Sequence, residues 1–469
     1  MDEGQKPNAK LQTSDAAAKN RRVKSKVQND RVKIEEVLGS ARMKAEQAEA
    51  FSTSTQATTI QFEANELKQV QSRESSSIAL RIFREGRIGF AIATGGDDWE
   101  ALVDMAAETS QFGSPASFQF PSSHDYSETP IFDPEVEKIA IDKIIEIGRE
   151  LIARVKRHTP DILCDVQITK GTSSVSLVNS QGCEGRYDKS FLSLNLEGIL
   201  VRDTDILWVE DGESSCRSDL IGIDELSDRV VWHLDMAKKK AKVQSKVLPV
   251  IFTSQGVASA LLSPLVLAFS GKAVLEGTSP LGDKLGEQLF DQNLSLWDDA
   301  TVAYRVGSYP FDDEGVPSQR LTLVANGVVT NFVYDLQTAA LAGTKSTGNG
   351  RRAGGGSPSP AISSLVVEKG EVSFHEMVKD MKEGLVVEEV IGTEQGNILG
   401  GDFGGNVLLG YKVEKGEIVG RVKDTMIAGN VYQVLRELPG IGRETRWVGG
   451  IVQTPPLYCS DISVTTKGD

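Results

Sequence analysis

Asp133-Pro134-Glu135-Val136-Glu137-Lys138-Ile139-Ala140 opens the stretch whose reading decides the fold. Asp133 is a good N-cap, Pro134 sits at the first helical position, and Glu135 and Glu137 favour the positive end of the helix dipole. Ile139, Ala140, Ile144, Ile147, Leu151, Ile152 and Val155 continue as an apolar stripe, which predicts one long amphipathic helix. Alternation at Ile162, Cys164, Val166 and Ile168, then Val175-Ser176-Leu177 and Phe191–Leu200, predicts strands. A second helix is expected from Asp224 to about Lys246, with Leu226, Val230, Leu234 and Ala241 inward. The same order stands upstream. A helix is expected from Val32 to Ala50, a half-buried strand through Thr58, Ile60 and Phe62, a hairpin of Ser77–Phe83 and Arg87–Ile92, and a helix capped by Asp97 or Asp98. Helix, strands, helix thus occurs twice between 31 and 246, an internal pseudo-repeat of organisation rather than of residue identity.

Beyond Leu248-Pro249-Val250-Ile251-Phe252 the composition shifts towards strands and glycine, with hairpin signals at Asn326-Gly327, Lys369-Gly370, Lys415-Gly416 and Pro439-Gly440. Lys238, Lys239, Lys240, Lys242 and Lys246 read as the solvated end of the preceding helix. The expected fold class is α+β in two domains. Residues 31–246 form an N-terminal α/β domain with the internal helix-strands-helix pseudo-repeat, and residues 247–469 a C-terminal glycine-rich, mainly β domain. Residues 1–30 read as a disordered basic tail without the apolar run of a secretory signal. Val257 to Phe269 is too short to span a bilayer, which takes about 20 residues, and reads as a buried helix. The expected location is the cytoplasm.

Lysine and arginine total 51 against 66 aspartates and glutamates, a net charge of −15, which disfavours a nucleic-acid surface. Cys164, Cys183, Cys216 and Cys459 lie far apart, excluding a dense disulfide scaffold and the usual zinc ribbons. Of the four histidines, His124, His158, His233 and His375, none has a second histidine at metal-ligand spacing. His375-Glu376 resembles the start of a His-Glu-x-x-His motif, but Lys379 stands at the second ligand position, so a surface helix is expected. No nucleophile elbow and no Walker loop is present. Two constellations remain. Thr347-Gly348-Asn349-Gly350-Arg351-Arg352 is an anion-friendly loop, or else a mobile glycine loop whose arginines only solvate it. Asp312-Asp313-Glu314 bunches three carboxylates before Gly315, suited to acid/base or cation chemistry, or else to capping turns and binding backbone amides. Gly400-Gly401-Asp402-Phe403-Gly404-Gly405 reads as a tight turn region. Composition and spacing define no reaction.

From residue 32 to the C-terminus the chain resembles the TldD/PmbA family. The resemblance rests on Gly86-Arg87-Ile88-Gly89-Phe90-Ala91, Ser279-Pro280-Leu281-Gly282-Asp283-Lys284-Leu285-Gly286, Pro310–Gln319, Asn326–Val329, Thr347–Arg352 and Thr454-Pro455-Pro456, in family order. It implies a two-domain α+β fold and a place in an intracellular zinc-peptidase system. In that family the TldD type carries His-Glu-x-x-x-His on a helix, with a further ligand near its C-terminus. The TldE type, also called PmbA, lacks the motif and pairs with it. The pair encloses a chamber that cleaves unfolded peptides and is linked to microcin maturation and antitoxin breakdown.

Where the motif should stand, this chain reads Ala260-Leu261-Leu262-Ser263-Pro264-Leu265-Val266-Leu267-Ala268. Ser263 and Ala268 replace the histidines and Pro264 the glutamate, so neither ligands nor general base are present. Cys459 falls near the C-terminal ligand region and is assigned no role. The resemblance therefore implies a non-catalytic subunit that binds no metal or cofactor itself. Its zinc would sit in a TldD-like partner, its activity would require that partner, and its ligand would be unfolded peptide held along a strand edge. Asp312, Asp313, Glu314, Asn349, Arg351 and Arg352 are the candidates for chamber or structural roles. The acidic body would disfavour acidic substrates if the chamber shared its sign. Two other readings stand beside this one: a self-standing homodimeric peptide-binding or scaffold protein, and a peptidase with an unrecognised site. Neither involves nucleic acid or membrane.

Overall fold

The computed structural model describes residues 33–467 apart from 96, 97, 220, 221 and 394; the basic tail of 1–30 lies outside them. Helix α1 (33–42) leads into β1 (Gln47–Glu63), β2 (Glu66–Arg84) and β3 (Arg87–Thr94), and then α2 (Trp99–Thr109). After α3 (Pro134–Lys138) and α4 (Ile141–His158), β4 (Leu163–Asn179), β5 (Glu184–Arg202), β6 (Asp205–Ser215) and α5 (Ile223–Met236) repeat that order. The six strands form one antiparallel sheet in the order β3-β2-β1-β4-β5-β6, so the two halves meet at β1 and β4 and the pseudo-repeat is built into one sheet.

Turn chemistry sets the register. Ala64-Asn65 and Glu85-Gly86 have positive φ throughout, the twist a two-residue hairpin needs. Side chains then alternate between two faces. One face carries Ile78, Leu80 and Ile82 against α1 and α2, and Ile60, Phe62, Val166 and Leu194 against α4 and α5. The other is left open by the helices and becomes the floor of the site.

Several sequence expectations are corrected here. The first helix stops at residue 42, and Ala48 is a strand residue, because Ala48 and Ala50 fit the period of two and are wholly buried on the helix-covered face. The long helix is broken at Ile139-Ala140, where the Lys170 ammonium takes the carbonyls of Glu137 and Ile139 at 2.7 and 2.5 Å. Helix α5 ends at Met236. The lysines beyond it lie outside the helix, in a turn and then a segment tied to Arg421 by backbone hydrogen bonds from Arg421 N to Lys239 O and from Ala241 N to Arg421 O. Asn326-Gly327 and Lys415-Gly416 are hairpin turns with positive φ, whereas Gly370 and Gly440 are not at positive φ and close no hairpin.

In the C-terminal half, Lys246–Phe252 pairs with Glu383–Ile391 on one side and Leu457–Thr466 on the other. Thr425–Asn430 and Asp402–Glu414 complete a ring of five strands that closes on Glu383–Ile391. Closure removes the free edges. The apolar segment expected to be a buried helix is one, running through Ser254–Gly256, Val257–Leu261 and Leu262–Ala268 against the barrel. The halves are not separable blocks: Tyr411, Met377 and Val386 share a cluster with Leu226, Val230 and Leu194.

Gly148 shows how closely α4 lies on the sheet, since a Cβ there would stand 2.3 Å from the Phe62 ring. Gly148→Val is expected to lower unfolding free energy by about 2 kcal/mol through overpacking; denaturant unfolding checks it, and a change within about 0.5 kcal/mol, the range of an uninvolved surface site, contradicts it.

Candidate functional site

The open face of the N-terminal sheet is read from its registers. Ser77, Thr53, Val175 and Tyr187 lie side by side across four strands, and Ser75, Thr55, Ser173 and Lys189 form the next row. Hydroxyls pair within the rows, Thr53 with Ser77 and Thr55 with Ser173, each at 3.0 Å. These rows floor a groove of about 800 Å3, walled at one end by Arg351, Arg352, Gly354 and Gly355 from the C-terminal half. On the same face, further along the strands, Asp165, Glu197 and Glu210 stand directly opposite one another and line a separate cavity of about 470 Å3. From Lys189 to Glu197 is eight residues of β5, about 27 Å at an antiparallel rise of about 3.4 Å per residue.

All six candidate residues come together at the walled end of the groove, and most are buried. Asp312 accepts backbone amides of Glu314 (3.0 Å), Val316 (2.9 Å) and Gly350 (2.8 Å), so it closes a turn. Its burial and the nearby charge of Glu314 push its carboxyl well above the ordinary range, against those amides. Asp313 takes the Arg352 amide at 2.8 Å and the Arg351 guanidinium at 3.0 Å. Asn349 donates to Asp298 at 2.6 Å and to the Ala361 carbonyl at 3.0 Å. The Asp298 carboxyl also receives Ser363 and Ser364 amides and is pushed up to about 6 by burial. Glu314 accepts Arg81 Nη1 at 2.6 Å and the Leu336 amide at 2.7 Å. Arg81 reaches Glu49 at 3.0 Å, and Glu49 also accepts Arg352 Nη2 at 2.5 Å. Burial works against the Arg81 charge, but Glu49 and Glu314 more than offset it and hold the guanidinium above its ordinary value.

Two acids and two arginines thus form a charge-balanced chain between β1, β2 and the 312–316 and 350–356 segments. The glycine loop is pinned by its arginines rather than merely solvated by them. Of the six, Asp313, Arg351 and Arg352 line the groove; Asp312, Glu314 and Asn349 hold the wall in place. Sequence reasoning missed Glu49, Arg81, Tyr187 and Lys189. Glu49 and Arg81 carried a signal, each being a lone charge inside an apolar strand run, and so did the groove floor, in the serine and threonine runs of 52–59 and 72–77.

The helix window is poor in donors for zinc. Ser263 offers one hydroxyl, Pro264 is buried, and Ala268 is wholly buried. The turn just before Pro264, Val257–Leu261, is a π-turn, which absorbs the missing N–H and the ring's clash with the preceding turn. Cys459 lies opposite Val250 inside the barrel, its thiol pushed up to about 12 by burial, so it is protonated. These residues do not fit zinc. Among the described residues no three His, Cys, Asp or Glu side chains are grouped to hold a metal ion.

An α+β protein with a barrel and an open, hydroxyl-floored sheet face is the class this architecture defines. Residues 245–466 match the model of the PmbA/TldA metallopeptidase C-terminal domain, and residues 48–110 that of PmbA/TldA metallopeptidase domain 1. The chain belongs to the PmbA/TldD family. It is 26% identical to a metalloprotease of Methanothermobacter thermautotrophicus, over 87% of this chain and 91% of that one. It is 33% identical to the metalloprotease PmbA of Escherichia coli O157:H7, over 43% of this chain and 42% of that one. The crystal structure of TldE from Thermococcus kodakarensis shares the fold, with a TM-score of 0.85 and 22% identity over 92% of this chain and 100% of that one. No helix among the described residues is long and apolar enough to cross a membrane.

Lys189 is the lysine that lines the groove. It is half-buried, donates to the carbonyls of Val306 (2.6 Å) and Ser308 (2.7 Å), and is pushed down to about 8 by burial, with the Arg351 charge adding to the effect. The folded pKa lies below the unfolded value of about 10.4, so the folded chain binds fewer protons between those values; the penalty is full below pH 8 and is relieved as pH rises through the window. NMR of the dimethylated amine should show Lys189 titrating near 8 without ligand; a midpoint above 10 contradicts it.

Proposed function

We propose that this chain is the PmbA/TldE-type subunit of a two-subunit metallopeptidase, one that holds unfolded peptide in extended form while a TldD-like partner supplies zinc and the general base. The observation that carries the reading is the pairing of a donor-poor motif helix, Ser263, Pro264 and Ala268, with a large polar groove in a chain of this family. The groove suits a main chain better than a compact ligand. Its floor is a flat sheet face with hydroxyls at regular spacing, able to donate and accept along an extended backbone. Its outer margin is the Glu66–Ser76 part of β2, whose outward edge has no strand partner among the described residues because β3 pairs only with Ser77–Arg84. A peptide entering over that edge and crossing β1 and β4 travels about 14 Å, about four extended residues, before meeting Lys189.

In this division of labour the chain makes no bond-breaking step of its own. It binds, orients and screens the peptide, which lowers the entropy of presenting a scissile bond to the partner. The test is reconstitution. The chain alone should leave an unfolded casein-derived peptide intact. Mixing with a TldD-type subunit carrying His-Glu-x-x-x-His should give cleavage that a chelator abolishes and that neither subunit shows alone. Cleavage by the pure chain, or full activity of the partner without it, contradicts the proposal.

A further inference from the structure

We propose that the Lys189 end of the groove is a carboxylate subsite, which fixes the direction in which an extended peptide lies; this rests on the peptide-holding reading above. The inference starts from a charge imbalance. The chain is acidic overall, yet this end of the groove is cationic. Arg352 is matched by Glu49, and Arg351 by Asp313, whose second carboxylate oxygen is taken by the Arg352 amide. Lys189 has no such match: among the described residues its ammonium forms no ion pair, and its two hydrogen bonds go to neutral carbonyls. Lysine is rarely withdrawn from water without a counter-charge. An ammonium has three donors, so one remains beyond those given to Val306 and Ser308.

The neighbours are arranged for an anion. Arg351 stacks on Tyr309, 4.5 Å from the ring centroid, and lies near enough to Lys189 to repel its charge. The Asp313 carboxylate that Arg351 holds offsets part of that repulsion, and a second carboxylate seated between the two cations relieves the rest. The Tyr187 phenol, in the row next to Lys189, is pushed up to about 12 by burial and so stays protonated as a further donor. Ammonium, guanidinium and phenol together are a carboxylate-binding set, and charge-assisted hydrogen bonds are the stronger kind. The expectation that an acidic body would reject acidic peptides therefore does not extend to this end of the groove, whose local sign is positive.

A carboxylate on an extended peptide has two sources, the C-terminus and an acidic side chain. Calorimetric titration of the full chain with three N-acetylated octapeptides of one neutral Thr/Val/Ala sequence separates them: a free C-terminal acid, its amide, and the amide with one internal glutamate. The acid is expected to bind about tenfold or more tighter than the amide. If the glutamate peptide alone gains, the subsite takes a side-chain carboxylate. Lys189→Gln, checked for an unchanged melting temperature, should erase the difference between the acid and its amide. Equal binding of all three peptides overturns the subsite but leaves the peptide-holding reading standing. Absence of binding by all three overturns both. Should Lys189→Gln not fold, the three-peptide comparison on the unaltered chain still decides.

Discussion

Glu49, Arg81, Glu314 and Arg352 are buried together at the seam between the two halves, and the geometry of the groove depends on them. Each charge would be costly alone, since withdrawing an unpaired ion from water costs several kcal/mol. In sequence they are separated by up to 303 residues, and only the folded arrangement joins them. Glu49 and Arg81 face each other across β1 and β2, so strand register alone places them together. Glu314 and Arg352 then complete the pairings from the other side. Breaking one member would leave an uncompensated charge, at a cost of about 3–5 kcal/mol. The seam is therefore specific: the C-terminal half docks where the charges balance.

Fixing that seam also fixes what the groove presents. Arg352 bonds through its guanidinium to Glu49, so the adjacent Arg351 is held at the groove wall, stacked on Tyr309 and paired with Asp313. The Val306 and Ser308 carbonyls, on the segment leading to Phe311, hold Lys189 from the same side. Asp312, Glu314 and Asn349 are buried and do not line the groove. Of the carboxylate cluster that stood out in the sequence, Asp312 and Glu314 hold backbone amides and Arg81, and Asp313 holds Arg351.

Local signals in the sequence resolved much of the fold. Asp133 caps its helix by accepting the Glu135 amide, Asp98 caps α2, and Asn326-Gly327 turns a hairpin, because each of these depends on residues within a few positions. Expectations failed where distant groups took over. Lys170 interrupts a helix more than thirty residues upstream, and Arg421 ties the segment after α5 by backbone hydrogen bonds. Ala48 fits the helical spacing of Ala41 and Ala45 and also the strand spacing of Ala50, and burial on the sheet decided for the strand. The site was half legible. Loop arginines and clustered acids were visible, whereas Lys189 reads as an ordinary strand lysine until its neighbours are known. Nothing near Arg81 in sequence indicates that its partner is Glu314.

The helix of Leu262–Ala268 links this architecture to function. It follows the barrel strand Lys246–Phe252, is packed by apolar side chains, and offers a hydroxyl where metal chemistry would need imidazole and carboxylate. Under the proposed function this chain contributes a shaped, charged surface, and bond cleavage belongs to a partner. Zinc per chain, measured by elemental mass spectrometry on the full-length protein purified alone after zinc-supplemented expression, tests that claim most directly. The account predicts far less than one zinc per chain; a value near one contradicts it.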